Sequence, residues 1–260
     1  MTTSPVVTVE PLGDSGGYQL LRGGRPYQIK GAGMHASEIS VFAAHGGNSL
    51  RTWGTGDGSV TGVQLLDQAA AHGVTVAFCL DLGRERHGFD YDDEDAVARQ
   101  LEYARQEVLR YKDHPALLLW IIGNELNHSY TNPRVFDAIN DISRMIHAVD
   151  GNHPTTTALT GFSAEMLAVM ETRAPDLDFL SFQLYAGLDE LPQRISETGY
   201  SKPFMITEWG ATGHWEVAKT PWGAPVEMNS SEKAQLFLQR YENVIAANPG
   251  QIIGSYVFLL

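Results

Sequence analysis

Short apolar runs alternate along this chain with longer segments in which apolar residues recur at helical spacing. The runs at 27–33, 48–53, 74–80, 117–123, 155–159, 179–184, 204–208 and 252–258 have the length of strands. Between them, 37–44, 62–72, 95–111, 133–149, 163–172, 188–197 and 232–247 carry helical periodicity or composition. Strands that alternate with amphipathic helices mark βα units around a parallel sheet, and eight of them close a barrel. The pattern predicts an α/β chain folded as a (β/α)8 TIM barrel. Punctuation agrees: Ser231 precedes one helix, Asn132 and Pro133 open another as cap and first helical residue, and Gly73, Gly151 and Gly199 stand just beyond helix ends.

Both ends depart from a plain repeat. Residues 6–21 place Gly13, Asp14, Gly16 and Gly17 between two apolar-containing arms, which predicts a β-hairpin, and segment 1–26 is expected to close the bottom of the barrel. The sequence stops at Leu260, directly after the eighth run, so the eighth helix is expected to be missing or truncated. The strand face it leaves open invites a second copy of the chain or the hairpin to cover it. No linker or repeat divides the 260 residues, so one catalytic barrel domain over 1–260 is expected.

Charge narrows the partners. With 31 acidic against 18 basic side chains the formal net charge is −13, which repels phosphate backbones and anionic bilayers, so neither nucleic acid nor membrane is expected, while neutral sugars stay compatible. The one cysteine, Cys79, lies in an apolar run and is expected to be a buried structural thiol. No stretch approaches the ~20 apolar residues of a membrane span, and no basic segment followed by an apolar one opens the chain. A soluble protein is expected, cytoplasmic or secreted with its signal removed.

The long irregular stretches 54–61, 82–94 and 210–230 all follow strands, which in a barrel puts them on the C-terminal face where chemistry is built. Two strands end in carboxyl groups on that face: Trp120-Ile-Ile-Gly-Asn-Glu125 on the fourth and Phe204-Met-Ile-Thr-Glu208-Trp209-Gly210 on the seventh. These strands lie on opposite sides of the mouth, so the two acids can face each other across a sugar ring. Glycoside hydrolysis needs one acid protonated to assist the leaving group and one ionised to attack the anomeric carbon, at a separation of ~5–5.5 Å for the retaining route. A metal held by His35, Asp81, His87, Glu125 and His128 has no ligand spacing to support it, and Gly54-Thr-Gly-Asp-Gly58 lacks the lysine of a phosphate cradle. No metal or other cofactor is expected.

Gly-Asn-Glu after the fourth strand and Thr-Glu-Trp-Gly after the seventh resemble the clan of retaining barrel glycosidases. From about Tyr27 onward the chain is similar to the catalytic barrel domain of family 2 glycoside hydrolases and to bacterial β-glucanase or glucanosyltransferase-like barrels. The resemblance implies Glu125 as the general acid/base and Glu208 as the nucleophile. It further implies Arg51, in Ser-Leu-Arg-Thr-Trp, as the arginine that bonds the nucleophile, Asn124 as the residue for the sugar 2-hydroxyl, Tyr185 as the tyrosine touching the nucleophile, and His35 as a sugar-binding side chain. Where the family usually has a tryptophan platform near the end of strand eight, this chain reads Tyr256-Val-Phe-Leu-Leu260. Trp53, Trp209, Trp215 and Trp222 lie at or beyond strand ends, where a flat ring can stack on a pyranose. Arg84, Arg86, His87, Asp90 and Tyr91 of the third loop are further candidates for sugar contact.

The function so implied is retaining hydrolysis or transglycosylation of a β-linked oligosaccharide or polysaccharide by double displacement. A β-glucan is the substrate the resemblance favours, with β-galactoside, β-mannoside and β-glucuronide as alternatives. The rival readings are a non-catalytic carbohydrate-binding barrel and a metal-dependent hydrolase.

Overall fold

The computed structural model describes residues 4–13 and 16–258. Eight parallel strands form a closed barrel: β1 (Gly31–Gly33), β2 (Ser49–Arg51), β3 (Thr75–Leu80), β4 (Leu117–Asn124), β5 (Thr155–Thr160), β6 (Leu180–Leu184), β7 (Phe204–Trp209) and β8 (Ile252–Phe258). Each pairs with the next in sequence, and β8 closes on β1 through Tyr256↔Gly31. Around them run α1 (Ile39–Ala44), α2 (Gly62–Ala71), α3 (Glu94–Tyr111), α4 (Arg134–Val149), α5 (Ala164–Arg173), α6 (Leu191–Thr198) and α7 (Ser230–Arg240). The chain is thus a (β/α)8 barrel, and among the described residues no helix follows β8.

Strand alternation sorts the core into two layers. Outward residues such as Val76, Phe78, Trp120, Ile122, Phe182, Phe204 and Ile206 pack against Leu65, Val108, Phe136, Ile139 and Ile146 of the helices. Inward residues Ala77, Cys79, Leu119, Ile121, Ala158, Met205 and Tyr256 fill the barrel interior. Cys79 is fully buried and unpaired, and burial pushes its thiol up to about 12, so the cysteine is inert packing.

The predicted hairpin is present: Val7–Pro11 pairs antiparallel with Tyr18–Arg22, and Asp14 of its turn lies outside the described residues. Val7 N–H donates to the Asn152 carbonyl at 2.7 Å and Tyr18 N–H to the Gly250 carbonyl at 2.6 Å, which ties the hairpin to two loops under the barrel. Val7, Leu20 and Ile29 are buried against the interior layer and stopper its lower end. Gly17, at φ +97°, lets the backbones touch, because a Cβ there meets the Gly250 Cα at 2.7 Å.

Several boundaries differ from the sequence expectation, among them that of α4, where Pro133 is the N-cap and not the first helical residue. Strands β1 and β2 are three residues each, because the flanking backbone is satisfied by side chains: Asn48 bonds the Lys30 N–H (2.7 Å) and the Gln28 carbonyl (2.9 Å), and the Tyr27 hydroxyl donates to the Asn48 carbonyl (2.8 Å). Helix α7 is capped by Asn229, not Ser231. The Asn229 Oδ1 accepts from Ser231 and Glu232 N–H while Glu232 returns to the Asn229 N–H, a complete capping box. Its far end turns into a π-helical turn, Tyr241–Ile245, rather than continuing as α-helix. Among the described residues no helix is long and apolar enough to cross a membrane.

Candidate active site

The strand-end residues converge because alternation sends every second side chain inward. Along β2 and just beyond it, Ser49, Arg51 and Trp53 share the inner face; along β6 the same holds for Ser181, Gln183 and Tyr185. Lower in the barrel this polar column is satisfied internally, as by Ser49 Oγ and the Tyr256 hydroxyl at 2.9 Å. At the mouth it opens into a cavity of about 450 Å³ lined by Glu125, His128, Gln183, Tyr185, Glu208 and Trp215 among others.

Glu208 ends β7 with only 9% of its surface exposed. Its Oε2 accepts from Arg51 Nη1 at 2.7 Å and from Trp53 Nε1 at 3.2 Å, and its Oε1 accepts from the Tyr185 hydroxyl at 2.7 Å. All three partners present hydrogens, so both carboxyl oxygens serve as acceptors. Arg51 is fully buried; its second nitrogen donates to Asn124 Oδ1, and its guanidinium lies 4.8 Å from the centre of the Trp53 ring. Burial first, and then its bond to the Glu208 carboxylate, drive the Tyr185 phenol far above its usual range, so it stays protonated and keeps donating. Tyr185→Phe removes this one charge-assisted hydrogen bond and is expected to lower kcat/KM by about 10–100-fold with little change in Tm; turnover at the wild-type rate in the Phe variant would discount the contact.

Glu125 is delivered differently. Gly123 turns the chain at φ +74°, where a Cβ meets the Leu126 side chain at 2.5 Å, and Glu125 itself is left-handed at φ +51°. A non-glycine residue there carries strain of order 1–3 kcal/mol. The turn is held by Glu125 N–H donating to the Ala158 carbonyl at 2.8 Å and His128 N–H donating to the Glu125 carbonyl at 3.1 Å. The Gln183 amide is satisfied with its nitrogen donating to Glu125 Oε1 at 2.5 Å and its oxygen accepting from Arg51 Nη2 at 3.0 Å. Burial raises the Glu125 carboxyl above the usual glutamate range, and the nearby charge of Glu208 raises it further, against Arg86, His128 and Arg51.

This direction has a consequence for stability. A carboxyl whose folded-state value is raised favours the fold below its unfolded value and loses that advantage as pH rises through the folded value. Glu125→Gln is therefore expected to raise Tm at pH 7–8, with the gain closing toward about pH 4 where unfolded glutamates protonate. Thermal scans across pH check it, and a Gln variant no more stable than wild type at neutral pH contradicts it.

The tryptophans divide. Trp215, 56% exposed, lines the cavity with its ring edge-on to Tyr185 at 5.0 Å. Trp53 is a hydrogen-bond donor to Glu208. The expected sugar contact of Trp209 is corrected: with Glu208 facing in, Trp209 faces out, is 5% exposed, and lies against Phe237 (5.8 Å) and Tyr241 (6.4 Å). Trp222, 81% exposed, does not line the cavity. His35 does not line the cavity; its exposed ring is paired through Nδ1 with Asp57 Oδ1 at 3.0 Å. In the third loop Tyr91 is buried and donates to the Gly83 carbonyl, and Arg84 pairs with Asp81 at 3.0 Å, so only Arg86 reaches the carboxyls.

Sequence reasoning passed over Gln183 and Phe258. Gln183 was within reach of the alternation argument, standing two positions before Tyr185 on one strand. Phe258 ends β8 with its ring edge-on to Trp53 (5.8 Å) and Tyr185 (6.0 Å), while Tyr256 is buried below and bonded to Ser49. Among the described residues no three His, Cys, Asp or Glu side chains gather so as to hold a metal ion.

Known proteins place this geometry in a family. Residues 39–245 match the family described as glycosyl hydrolases family 2, TIM barrel domain. The fold is similar to the Bifidobacterium dentium β-glucuronidase complexed with coumarin-3-O-glucuronide (TM-score 0.70, 20% identity, 97% of this chain and 43% of that one). It is also similar to the Eisenbergiella tayi β-galacturonidase bound to galacturonate (TM-score 0.69, 20% identity, 98% and 47%). A probable mannan endo-1,4-β-mannosidase A-1 of Aspergillus terreus is 25% identical over 174 residues, 57% of this chain and 45% of that protein. The chain spans less than half the length of each of these three. The match over most of its length shows that this chain belongs to the glycosyl hydrolase family 2 TIM barrel domain.

Proposed function

We propose that the pocket hydrolyses β-linked glycosides with retention of configuration. The observation that carries this is the inequality of two carboxyls at one cavity: Glu208 takes three hydrogen-bond donors, and Glu125 is held above the glutamate range by burial and by Glu208 itself. Environments that push two acids apart assign them their roles. A Glu208 oxygen attacks the anomeric carbon while the C–O bond to the leaving group breaks and the Glu125 proton passes to the departing oxygen. Forming the glycosyl ester removes the Glu208 charge, which frees Glu125 to remain ionised. Glu125 then takes a proton from water as the water oxygen attacks the same carbon, and Glu208 leaves as carboxylate. Asn124, bonded to Arg51 and next to Glu125 in the chain, stands where it can serve the sugar 2-hydroxyl.

Trp215 is the aromatic face available to a pyranose, and Phe258, against Trp53 and Tyr185, ends the strand on which the family usually has tryptophan. The finer reading is a β-glucan substrate, with transfer to an acceptor sugar as an alternative to hydrolysis. The names of the similar proteins point instead to glucuronides, galacturonides and mannan, so the sugar is decided by assay. Aryl β-glucoside, β-galactoside, β-mannoside and β-glucuronide are offered to the protein, and the first-formed product anomer is followed by NMR. Turnover giving the β-anomer supports the proposal. An α-anomer refutes retention, and binding without turnover across the panel favours a carbohydrate-binding barrel.

A further inference from the structure

The loop after β3 contains a short 3-10 turn, Glu85–His87, whose neighbouring side chains face opposite ways. The Glu85 carboxylate accepts from the N–H and Oγ1 of Thr131 (both 2.9 Å) and from the Asn132 N–H (3.2 Å), stitching the loop to the one that follows β4. Arg86 points into the site. Its Nη1 donates to the carbonyl of Glu125, and its Nη2 lies 3.9 Å from Glu125 Oε2, with the side chain 22% exposed. Arg84 sends its Nε toward the Asn124 carbonyl at 3.4 Å, but its charge is met by Asp81. Among the described residues the acidic partner of Arg86 is Glu125.

We propose that Arg86 is a positioning residue for Glu125, steadying the left-handed turn through its carbonyl and holding a guanidinium beside its carboxyl group. The inference rests on Glu125 being the acid/base. That residue must donate a proton in the first half of the reaction and accept one in the second, which requires neither form to dominate too strongly. The groups that face it from each side are Glu208 on β7, Arg51 on β2, Tyr185 after β6, His128 on its own loop and Arg86 on the loop after β3. Burial and Glu208 favour the protonated form, and among the opposing cations Arg86 has the largest influence. Once Glu208 is esterified, Arg86 remains to favour the base.

The test is the pH dependence of kcat/KM and kcat on an aryl β-glycoside for wild type, Arg86→Gln, Arg86→Lys and Glu85→Gln. Arg86→Gln is expected to move the alkaline limb of kcat/KM upward by about half to one pH unit, since an adjacent cation lowers an acid's titration point. It is also expected to slow the second step several-fold at neutral pH, while Arg86→Lys returns the limb toward the wild-type position. Glu85→Gln, which loosens the turn but leaves the guanidinium in the chain, shifts the limb in the same direction by less, and serves if Arg86→Gln does not fold. A limb that stays in place in both variants, or that Lys fails to restore, overturns the proposal. Azide added to Glu125→Ala separates the two readings. If it yields β-glycosyl azide, Glu125 is the acid/base and an unmoved limb counts against Arg86 alone; if it yields none, the acid/base reading itself fails.

Discussion

Glu208→Ala is expected to lower turnover of an aryl β-glycoside by about 10⁴-fold or more, as removal of a covalent nucleophile does when nothing else can form the intermediate. The methyl group leaves room beside the anomeric carbon, so added azide restores partial turnover and yields the α-glycosyl azide. The same substitution strands Arg51, which is fully buried and otherwise bonded to Asn124. An unpaired buried charge is destabilising by about 3–5 kcal/mol, so Tm should fall as well. Glu208→Gln preserves the volume and separates loss of chemistry from loss of fold. Hydrolysis near the wild-type rate in either variant would remove Glu208 from the mechanism.

Arg51→Ala is the second large effect. The guanidinium links Glu208, Asn124 and Gln183 across the mouth and covers the Trp53 ring, and it has no exposure through which water could substitute. Its loss leaves the Glu208 carboxylate with two neutral donors and opens a void. A stability loss of about 3–5 kcal/mol follows, which for a chain of this size is roughly 10 °C in Tm. Loss of rate accompanies it, because the Glu208 carboxyl is no longer held in place by its buried partner. Arg51→Lys keeps the charge but not the planar fork that serves two acceptors at once, so it should recover part of the stability and little of the rate. Thermal unfolding with kinetics on all three proteins checks this. An alanine variant that melts with wild type would show that the pair contributes nothing.

Both effects trace to one packing solution. The lower barrel is plugged by the hairpin and filled by apolar side chains and by hydroxyls that satisfy one another, and the charged inward residues begin above it. Charges placed at that boundary are poorly hydrated, so each must find a protein partner. That need makes the mouth a network in which Arg51, Glu208, Tyr185, Gln183 and Glu125 depend on one another. It also bears on the raised proton affinity of Glu125, which is partly buried, has fewer donors than Glu208 and faces that second carboxyl.

By itself the sequence determined the alternation of strands and helices, the hairpin, and the strand tips that carry Glu125 and Glu208, because periods of 2.0 and 3.6 residues are local and are written directly in apolar spacing. The contacts of Arg51 and Tyr185 with Glu208 came from the resemblance and not from spacing. Tertiary structure alone decided the rest. Which tryptophan faces the pocket depends on a single step of strand parity, and Trp209 is adjacent to Glu208 yet points to the opposite side of the sheet. His35 pairs with Asp57 on a loop 22 positions away, a contact no local period announces. Arg86 reaches Glu125 from a loop that Glu85 ties to Thr131, a contact between segments 46 positions apart. Loop-to-loop hydrogen bonds of that kind have no period, so they leave no pattern in the chain and are settled when the barrel closes.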